Sequence, residues 1–284
     1  MNEEREKSGK DLPEGRKGPE NETPRGLPIW ADIATAFLFL SRIPMPYYGR
    51  QISVAAWAFP IVGWLVGAIG AGVFILATFL GLTGWLAAVL AIVATVFVTG
   101  ALHEDGFSDV ADGYWGGHSV EKRLSIMRDS SVGAYGALAL VLNIALRAGA
   151  LASFYNPILI LVVMVSAHGL GRASMSMVMA LQAPAGKTGM AATAGKTAMP
   201  IALIALVLGL LPFSAFIPVQ AAVFIAAVPL VAGVGFMQIM KAKLGGTNGD
   251  SLGALCQVVE ITTYLTVMAV GNTLGFSLSD WLIK

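Results

Sequence analysis

Residues 103–136 read HEDGFSDVADGYWGGHSVEKRLSIMRDSSVGAYG, a polar stretch that lies between two long apolar runs. Between Asp32 and Asp280, the only carboxylates outside this stretch are Asp250 and Glu260. Acidic side chains are therefore concentrated in one short window of an otherwise apolar chain. We expect the rest of the fold to be organised around that window.

Three aspartates in this stretch have helical spacing. If residues 103–113 form a helix, Asp105, Asp109 and Asp112 fall at i, i+4 and i+7 and share one face. Like charges on one face repel, so this helix needs a counter-charge. A hard divalent cation such as Mg²⁺ takes carboxylate oxygens and often bridges to substrate phosphates. The alternative interpretation is an acidic, solvated loop.

The composition indicates a membrane protein. Charged residues make up 12% of the chain and hydrophobic residues 56%, whereas soluble domains carry about 25% charged residues. The net charge of +1 offers no basic field for nucleic acid. The one cysteine, Cys256, excludes an internal disulfide and a cysteine-based metal site.

The chain divides into a tail and one membrane domain. Residues 1–28 are charged and contain proline and glycine, which predicts a disordered cytoplasmic tail rather than a cleaved signal peptide. Residues 29–284 form the membrane domain. Within it, residues 29–40 are too short to span a bilayer and predict an interfacial or re-entrant helix, ended by Pro44 and Pro46.

The fold class is predicted to be all-α, a polytopic membrane bundle of about seven transmembrane helices plus the N-terminal helix. Each candidate segment approaches the roughly 20 residues that a bilayer requires. The segments are residues 54–80, 85–102, 132–155, 158–181, 200–216, 219–240 and 253–276. They are rich in glycine and alanine, which lets membrane helices pack closely.

Basic residues give the orientation of the bundle. They concentrate in three polar loops, and the short turns between the other segments carry none. The basic residues of the three polar loops are Lys122, Arg123, Arg128, Lys187, Lys196, Lys241 and Lys243. Cytoplasmic loops of membrane proteins carry an excess of lysine and arginine. We therefore expect the three loops and the N-terminal tail on the cytoplasmic side and the C-terminus on the other.

Few ionisable residues lie within the apolar segments, and such residues mark a site or a buried pair. We predict that Arg172 faces anionic phosphate oxygens of a substrate, with Glu260 as the competing partner. Arg147 is interpreted as structural, with Glu260 as its candidate partner. His168 is interpreted as a core histidine.

Two further loops could contact phosphate. Residues 244–253 read LGGTNGDSLG, and such a turn before a helix can present backbone N–H groups to an anion. The alternative is a glycine-rich connection without a ligand. Residues 183–199, with Lys187 and Lys196, are either a basic loop only or a source of flexible cations.

Residues 100–113 (GALHEDGFSDVADG) and 123–136 (RLSIMRDSSVGAYG) resemble the cobalamin synthase family. Residues 41–44 (SRIP), the pair Gly171-Arg172 and residues 246–250 (GTNGD) support the resemblance, which extends from about residue 30 to 274. It implies an adenosylcobinamide-GDP ribazoletransferase in the prokaryotic cytoplasmic (inner) membrane, with its active site facing the cytoplasm. It leaves open whether the chain forms a homo-oligomer.

The implied reaction is attack by a hydroxyl of α-ribazole, or of its 5′-phosphate, on the corrinoid-side phosphorus of adenosylcobinamide-GDP, with GMP leaving. Asp105, Asp109 and Asp112 would hold Mg²⁺, and Asp129 would be a further ligand or the base. The implied substrate-binding residues are Arg42, His103, Arg123, Gly133, Arg172, Gly246, Asn248 and Asp250. The rings of Tyr114, Trp115 and Tyr135 suit either stacking on a flat base or macrocycle, or the membrane interface.

Two alternatives remain. Residues 109–113 (DVADG) resemble the D-x-x-D-G opening of CDP-alcohol phosphotransferases, but the rest of that signature is not found. A cation-coupled transporter would also use carboxylates and broken helices, but nearer the bilayer midplane.

Overall fold

The computed structural model describes residues 28–185, 194–216 and 219–274, and these residues form a helical bundle without a β-strand. Outside the described residues lie residues 1–27 of the predicted tail, Lys187 and the C-terminus, whereas residue 28 already belongs to the first helix. The helices are α1 (Pro28–Leu40), α2 (Ile52–Ala55), α3 (Phe59–Phe79), α4 (Gly84–Thr99), α5 (Leu102–Gly116), α6 (Val120–Ile126), α7 (Ala134–Leu151), α8 (Pro157–Leu181), α9 (Met199–Phe216), α10 (Val219–Leu244) and α11 (Gly249–Leu274). A 3₁₀ turn, Ala56–Ala58, joins α2 to α3.

Within the described residues each of the seven predicted spans contains a helix, but the helices differ in length. Five helices of the described chain are long and apolar enough to cross a bilayer, namely α2–α3 together, α7, α8, α10 and α11. The described part of α9, Met199–Ala215, is apolar but shorter. The prediction of a polytopic helical bundle is confirmed, and the second predicted span differs, as described next.

The second predicted span, residues 85–102, ends earlier than expected because the chain turns sharply after Thr99. Gly100 and Ala101 both adopt left-handed backbone conformations, with φ of 66° and 60°. As a result α4 and α5 meet at 94°. The helix predicted for residues 103–113 is confirmed as α5. Its four carboxylates in 15 residues make α5 too polar to span a bilayer, and we place it outside the membrane-spanning segments.

Helix α1 agrees with the prediction of a short N-terminal helix. It ends at Leu40, before the two prolines. Asp32 on α1 accepts hydrogen bonds from Nε of Arg50 at 2.7 Å and from Nε1 of Trp57 at 3.1 Å. These bonds fasten α1 to the connection that leads into α3.

Helix α8 is the central helix of the bundle, and most of its length is buried. Glycines on α3 let the two helices approach until backbone meets backbone. A Cβ atom at Gly63 or Gly67 would collide with the carbonyl groups of His168 or Met164 on α8. Small residues at such crossings allow the van der Waals packing that holds membrane helices together.

Alanine at Gly67 is therefore expected to destabilise the protein by about 1–3 kcal/mol, because the added methyl group overpacks the α3–α8 contact. The matched control is Gly72→Ala on the same helix, where a Cβ would meet nothing within 4 Å. Thermal unfolding in one detergent compares the two variants. Equal unfolding temperatures for both would contradict the packing assigned to α3 and α8.

Candidate active site

Close packing of α5 against α11 brings distant acidic residues together. A Cβ atom at Gly106 on α5 would lie 2.8 Å from the backbone oxygen of Asp250, and one at Gly253 would lie 3.3 Å from the Cα of His103. The approach requires glycine at position 106, and glycine at 253 keeps the contact free of crowding. Asp250, at the first turn of α11, thereby joins the aspartates of α5.

Asp105, Asp109 and Asp250 form what we call the acidic face. Asp105 is exposed, whereas Asp109 is partly buried. Burial, followed by repulsion from Asp105, Asp250 and Asp112, raises the pKa of Asp109 to about 7. The carboxylates of the acidic face therefore repel one another, and a bound cation would reduce that repulsion.

The acidic face suits Mg²⁺ in the way that substrate-bridging sites do. Among the described residues, no group of three His, Cys, Asp or Glu side chains forms a preformed metal cage. Mg²⁺ commonly binds one or two carboxylates and completes its shell with water and substrate phosphates. Two carboxylates of the acidic face could serve as ligands of this kind, and the Mg²⁺ cofactor stays a prediction.

Asp112 has a second role that its spacing did not reveal. Its carboxylate accepts hydrogen bonds from the backbone N–H of Gly133 at 2.8 Å and of Gly136 at 2.9 Å, at the start of α7. A carboxylate is favourable at a helix N-terminus. The metal role of Asp112 stays a prediction. Gly133, predicted to contact substrate, has its N–H already donated to Asp112.

Asp129 lies on the exposed loop between α6 and α7. It accepts hydrogen bonds from the backbone N–H of Ser131 at 3.0 Å and from the Ser131 hydroxyl. These bonds lower the pKa of Asp129. A carboxylate with a lowered pKa is a weaker proton acceptor near neutral pH, which weakens the case for Asp129 as the base.

Basic residues flank the acidic helix at both ends. At the start of α5, the exposed side chain of Arg42 lies against Gly100. At its end, Nη1 of Arg123 donates to the backbone oxygen of Lys243 at 3.4 Å, and we call Arg123 and Lys243 the cationic corner. The substrate-binding roles of Arg42 and Arg123 stay predictions.

The glycine-rich loop 244–253 differs from the expected anion cradle. Thr247 N–H donates to the Ala183 oxygen at 3.1 Å, and Asn248 N–H donates to Oγ of Ser251 at 3.0 Å. These donors are therefore engaged within the protein. Gly246 serves close approach instead, because a Cβ there would lie 2.9 Å from the Ala183 oxygen.

Asn248 orients the start of α11. Its Nδ2 donates to Oδ2 of Asp250 at 3.0 Å, and its Oδ1 accepts the N–H of Ser251 at 2.9 Å. The second bond satisfies a free N–H at the helix start. Asn248 thus fixes the carboxylate of Asp250 on the acidic face, and its contact with substrate stays a prediction.

Behind the acidic face lies a buried ion cluster of Glu104, Arg147, His168, Arg172 and Glu260. Arg147 bonds Glu104 at 3.0 Å and Glu260 at 3.3 Å. Glu260 also contacts Arg172 at 2.9 Å and Nδ1 of His168 at 2.7 Å. Two arginines and two glutamates balance in charge, which buried ions require.

The prediction for Arg172 needs correction. Its side chain is 1% exposed and pairs with Glu260, the partner that the sequence analysis placed second. The reason is packing. Gly171 lies against Cys256, and α11 therefore runs close enough to α8 for Glu260 to reach Arg172. The pairing of Arg147 with Glu260 and the core position of His168 are confirmed.

Comparison with known proteins identifies the family. The family model described as cobalamin-5-phosphate synthase matches residues 32–268. The chain belongs to the cobalamin-5-phosphate synthase family. An adenosylcobinamide-GDP ribazoletransferase of Mesorhizobium japonicum is 42% identical, covering 84% of this chain and 92% of the relative. One of Bradyrhizobium diazoefficiens is 40% identical, covering 88% and 97%. No solved structure matches the chain.

Within this family member, sequence reasoning missed the polar neighbours of the ion cluster. Oε1 of Gln257 accepts from Arg147 and from Asn143, each at 3.0 Å, and its Nε2 donates to Glu104 at 3.1 Å. Gln257 and Glu260 are three residues apart and share a helix face. That spacing was the available signal, but uncharged amides do not stand out in an apolar helix.

The described parts of the three polar loops meet at one end of the bundle. Arg123 of the first loop bonds Lys243 of the third, and Ala183 of the second bonds Thr247. This agrees with the prediction that the loops share one side of the membrane. The acidic face thus combines residues of the first and third loops, namely Asp105 and Asp109 with Asp250.

Proposed function

We propose that this chain is an adenosylcobinamide-GDP ribazoletransferase, which joins α-ribazole or its 5′-phosphate to adenosylcobinamide-GDP and releases GMP. Family membership supports the proposal, as do the relatives that carry this name. The observation that carries it is the acidic face of Asp105, Asp109 and Asp250, with cations at both ends of α5. This arrangement suits a diphosphate bound through a divalent cation.

In this reaction an oxygen of the ribazole attacks the corrinoid-side phosphorus while the bond from that phosphorus to the GMP oxygen breaks. The attacking hydroxyl loses its proton, and GMP leaves as an anion. Displacement at a diphosphate needs positioning and charge neutralisation more than covalent help from protein. Positioning would come from α5, which packs between α7 and α11 and so holds its aspartates in place.

Asp109 and one neighbouring carboxylate of the acidic face, Asp105 or Asp250, would hold the Mg²⁺ that we propose as cofactor. When bound, the ion supplies neutralisation of the charge that develops on the departing phosphate. Asn248 holds Asp250 in place for this task. Arg42 and Arg123 would hold phosphate oxygens, since guanidinium groups match them in geometry, and Lys243 would add a point charge.

The proposed activity can be tested with purified protein in detergent, given adenosylcobinamide-GDP, α-ribazole and Mg²⁺. We expect GMP release only when both corrinoid and ribazole substrates are present. The same assay with α-ribazole 5′-phosphate compares the two acceptors. If neither acceptor gives GMP, the proposal is overturned. Release of CMP from a CDP-alcohol instead would favour the phosphotransferase alternative.

We also propose that the protein lies in the prokaryotic inner membrane with its acidic face on the cytoplasmic side. The distribution of basic residues supports this orientation. In a Cys256→Ala background, a cysteine at the exposed position His118 should resist an impermeant thiol reagent in intact cells. A cysteine at Leu82, in the turn between α3 and α4, is the matched control and should react readily. The opposite pattern would reverse the orientation.

A further inference from the structure

Two exposed aromatic rings lie together where α5 ends and α7 begins. Trp115 is 63% exposed and Tyr135 is 50% exposed. Their ring centroids are 6.2 Å apart, and the planes are inclined by 30°. Tyr114 contacts the Trp115 ring edge-on at 5.0 Å and supports its position. We call Trp115 and Tyr135 the aromatic pair.

Asp112 ties the aromatic pair to α5, the helix that carries Asp105 and Asp109 of the acidic face. The two N–H groups that Asp112 accepts come from Gly133 and Gly136, which lie on either side of Tyr135 in the chain. Trp115 follows Asp112 by three residues on α5. From Asp109 to Trp115 the helix advances by about 9 Å at 1.5 Å per residue. A nucleotide whose phosphates lie at the acidic face can place its base at this distance.

Charge around the pair also suits a nucleotide. Nζ of Lys243 lies 5.8 Å from the centre of the Tyr114 ring, within the range of a cation–π contact. Lys243 belongs to the cationic corner, and flat rings and cations thus adjoin each other at the end of α5. Flat aromatic side chains stack on nucleobases of any sequence because every base has a π face.

We propose that Trp115 and Tyr135 form a stacking subsite for the planar base of a nucleotide substrate. The inference rests on the proposed function and extends it to substrate recognition. The shared chemistry is a flat heterocycle on a ribose phosphate. It belongs either to the guanine nucleotide that leaves or to the ribazole that attacks.

Binding titrations with purified protein in detergent test the subsite and distinguish the two sources. The probes are GMP, α-ribazole 5′-phosphate and the base-free ribose 5-phosphate. Trp115→Ala should weaken binding of one or both base-bearing probes at least tenfold and leave ribose 5-phosphate unchanged. Trp115→Phe should restore most of the affinity, because it keeps a flat ring. The probe whose binding falls identifies the base that stacks.

Trp85→Ala is the matched control, since Trp85 is also half-exposed but lies at the start of α4, away from the acidic face. It should bind every probe as the unchanged protein does. Wild-type binding of both nucleotides by Trp115→Ala would overturn the proposal, as would an equal loss for ribose 5-phosphate. Wild-type binding together with weaker retention in bilayers would indicate a membrane anchor instead.

Failure of the subsite and failure of the proposed function have different signatures. If the unchanged protein releases GMP and Trp115→Ala keeps a normal KM for both substrates, the subsite falls and the function stands. If the unchanged protein releases no GMP, the function falls. The titrations with GMP and ribose 5-phosphate then still decide whether the aromatic pair binds a base.

Discussion

Asp109→Asn is expected to lower the rate of GMP release at least a hundredfold, while the protein unfolds at or above its usual temperature. Without Asp109 the Mg²⁺ that neutralises transition-state charge should bind poorly, and loss of one such stabilising group commonly costs 10²–10³ in rate. Stability should not fall, because the substitution removes repulsion between Asp109 and the carboxylates of Asp105 and Asp250. Initial rates and thermal unfolding in the same detergent measure both effects.

The control for Asp109→Asn is Glu121→Gln, which removes an exposed carboxylate of α6 away from the acidic face. Its rate should stay within twofold of that of the unchanged protein. Excess EDTA should abolish GMP release by the unchanged protein, and added Mg²⁺ should restore it. Undiminished release in EDTA, or normal turnover by Asp109→Asn, would contradict the proposed metal role.

Glu260→Gln is expected to destabilise the protein by roughly 3–5 kcal/mol, the range for breaking a buried ion pair. Glu260 is fully buried and contacts Arg147, His168 and Arg172. Without its charge the cluster holds two arginines against one glutamate. Thermal unfolding of the substrate-free protein in detergent measures the loss.

A second substitution tests whether charge imbalance is the cause. Adding Arg172→Leu to Glu260→Gln leaves Arg147 paired with Glu104, and the double variant should recover part of the lost stability. A different pair of results would support the original prediction that Arg172 faces substrate. Lower turnover in Arg172→Lys, with unchanged stability of every single variant, would mean that Arg172 binds substrate.

The acidic helix could be predicted from sequence because its signal is local. Asp105, Asp109 and Asp112 repeat at helical spacing within a few residues, and α5 forms where the spacing indicates. The apolar spans are likewise local, since length and composition identify them. Family resemblance added the substrate class, which no spacing could supply.

Contacts between distant segments could not be predicted in the same way. Asp250 joins the acidic face only because Gly106 lets α11 approach α5. Arg172 meets Glu260 rather than substrate because Gly171 admits α11 beside α8. Each case depends on which helices are neighbours, and the chain order of apolar segments does not determine that.

The charge balance of the buried ion cluster limits the evolutionary routes open to this chain. Any single replacement of Glu104, Arg147, Arg172 or Glu260 by a neutral residue leaves an uncompensated charge in the centre of the bundle. Divergent relatives should therefore retain all four residues or have exchanged them as opposite-charge pairs, while lipid-facing positions drift freely. Intermediate sequences that lack one member should carry a compensating change at a contacting position such as Gln257.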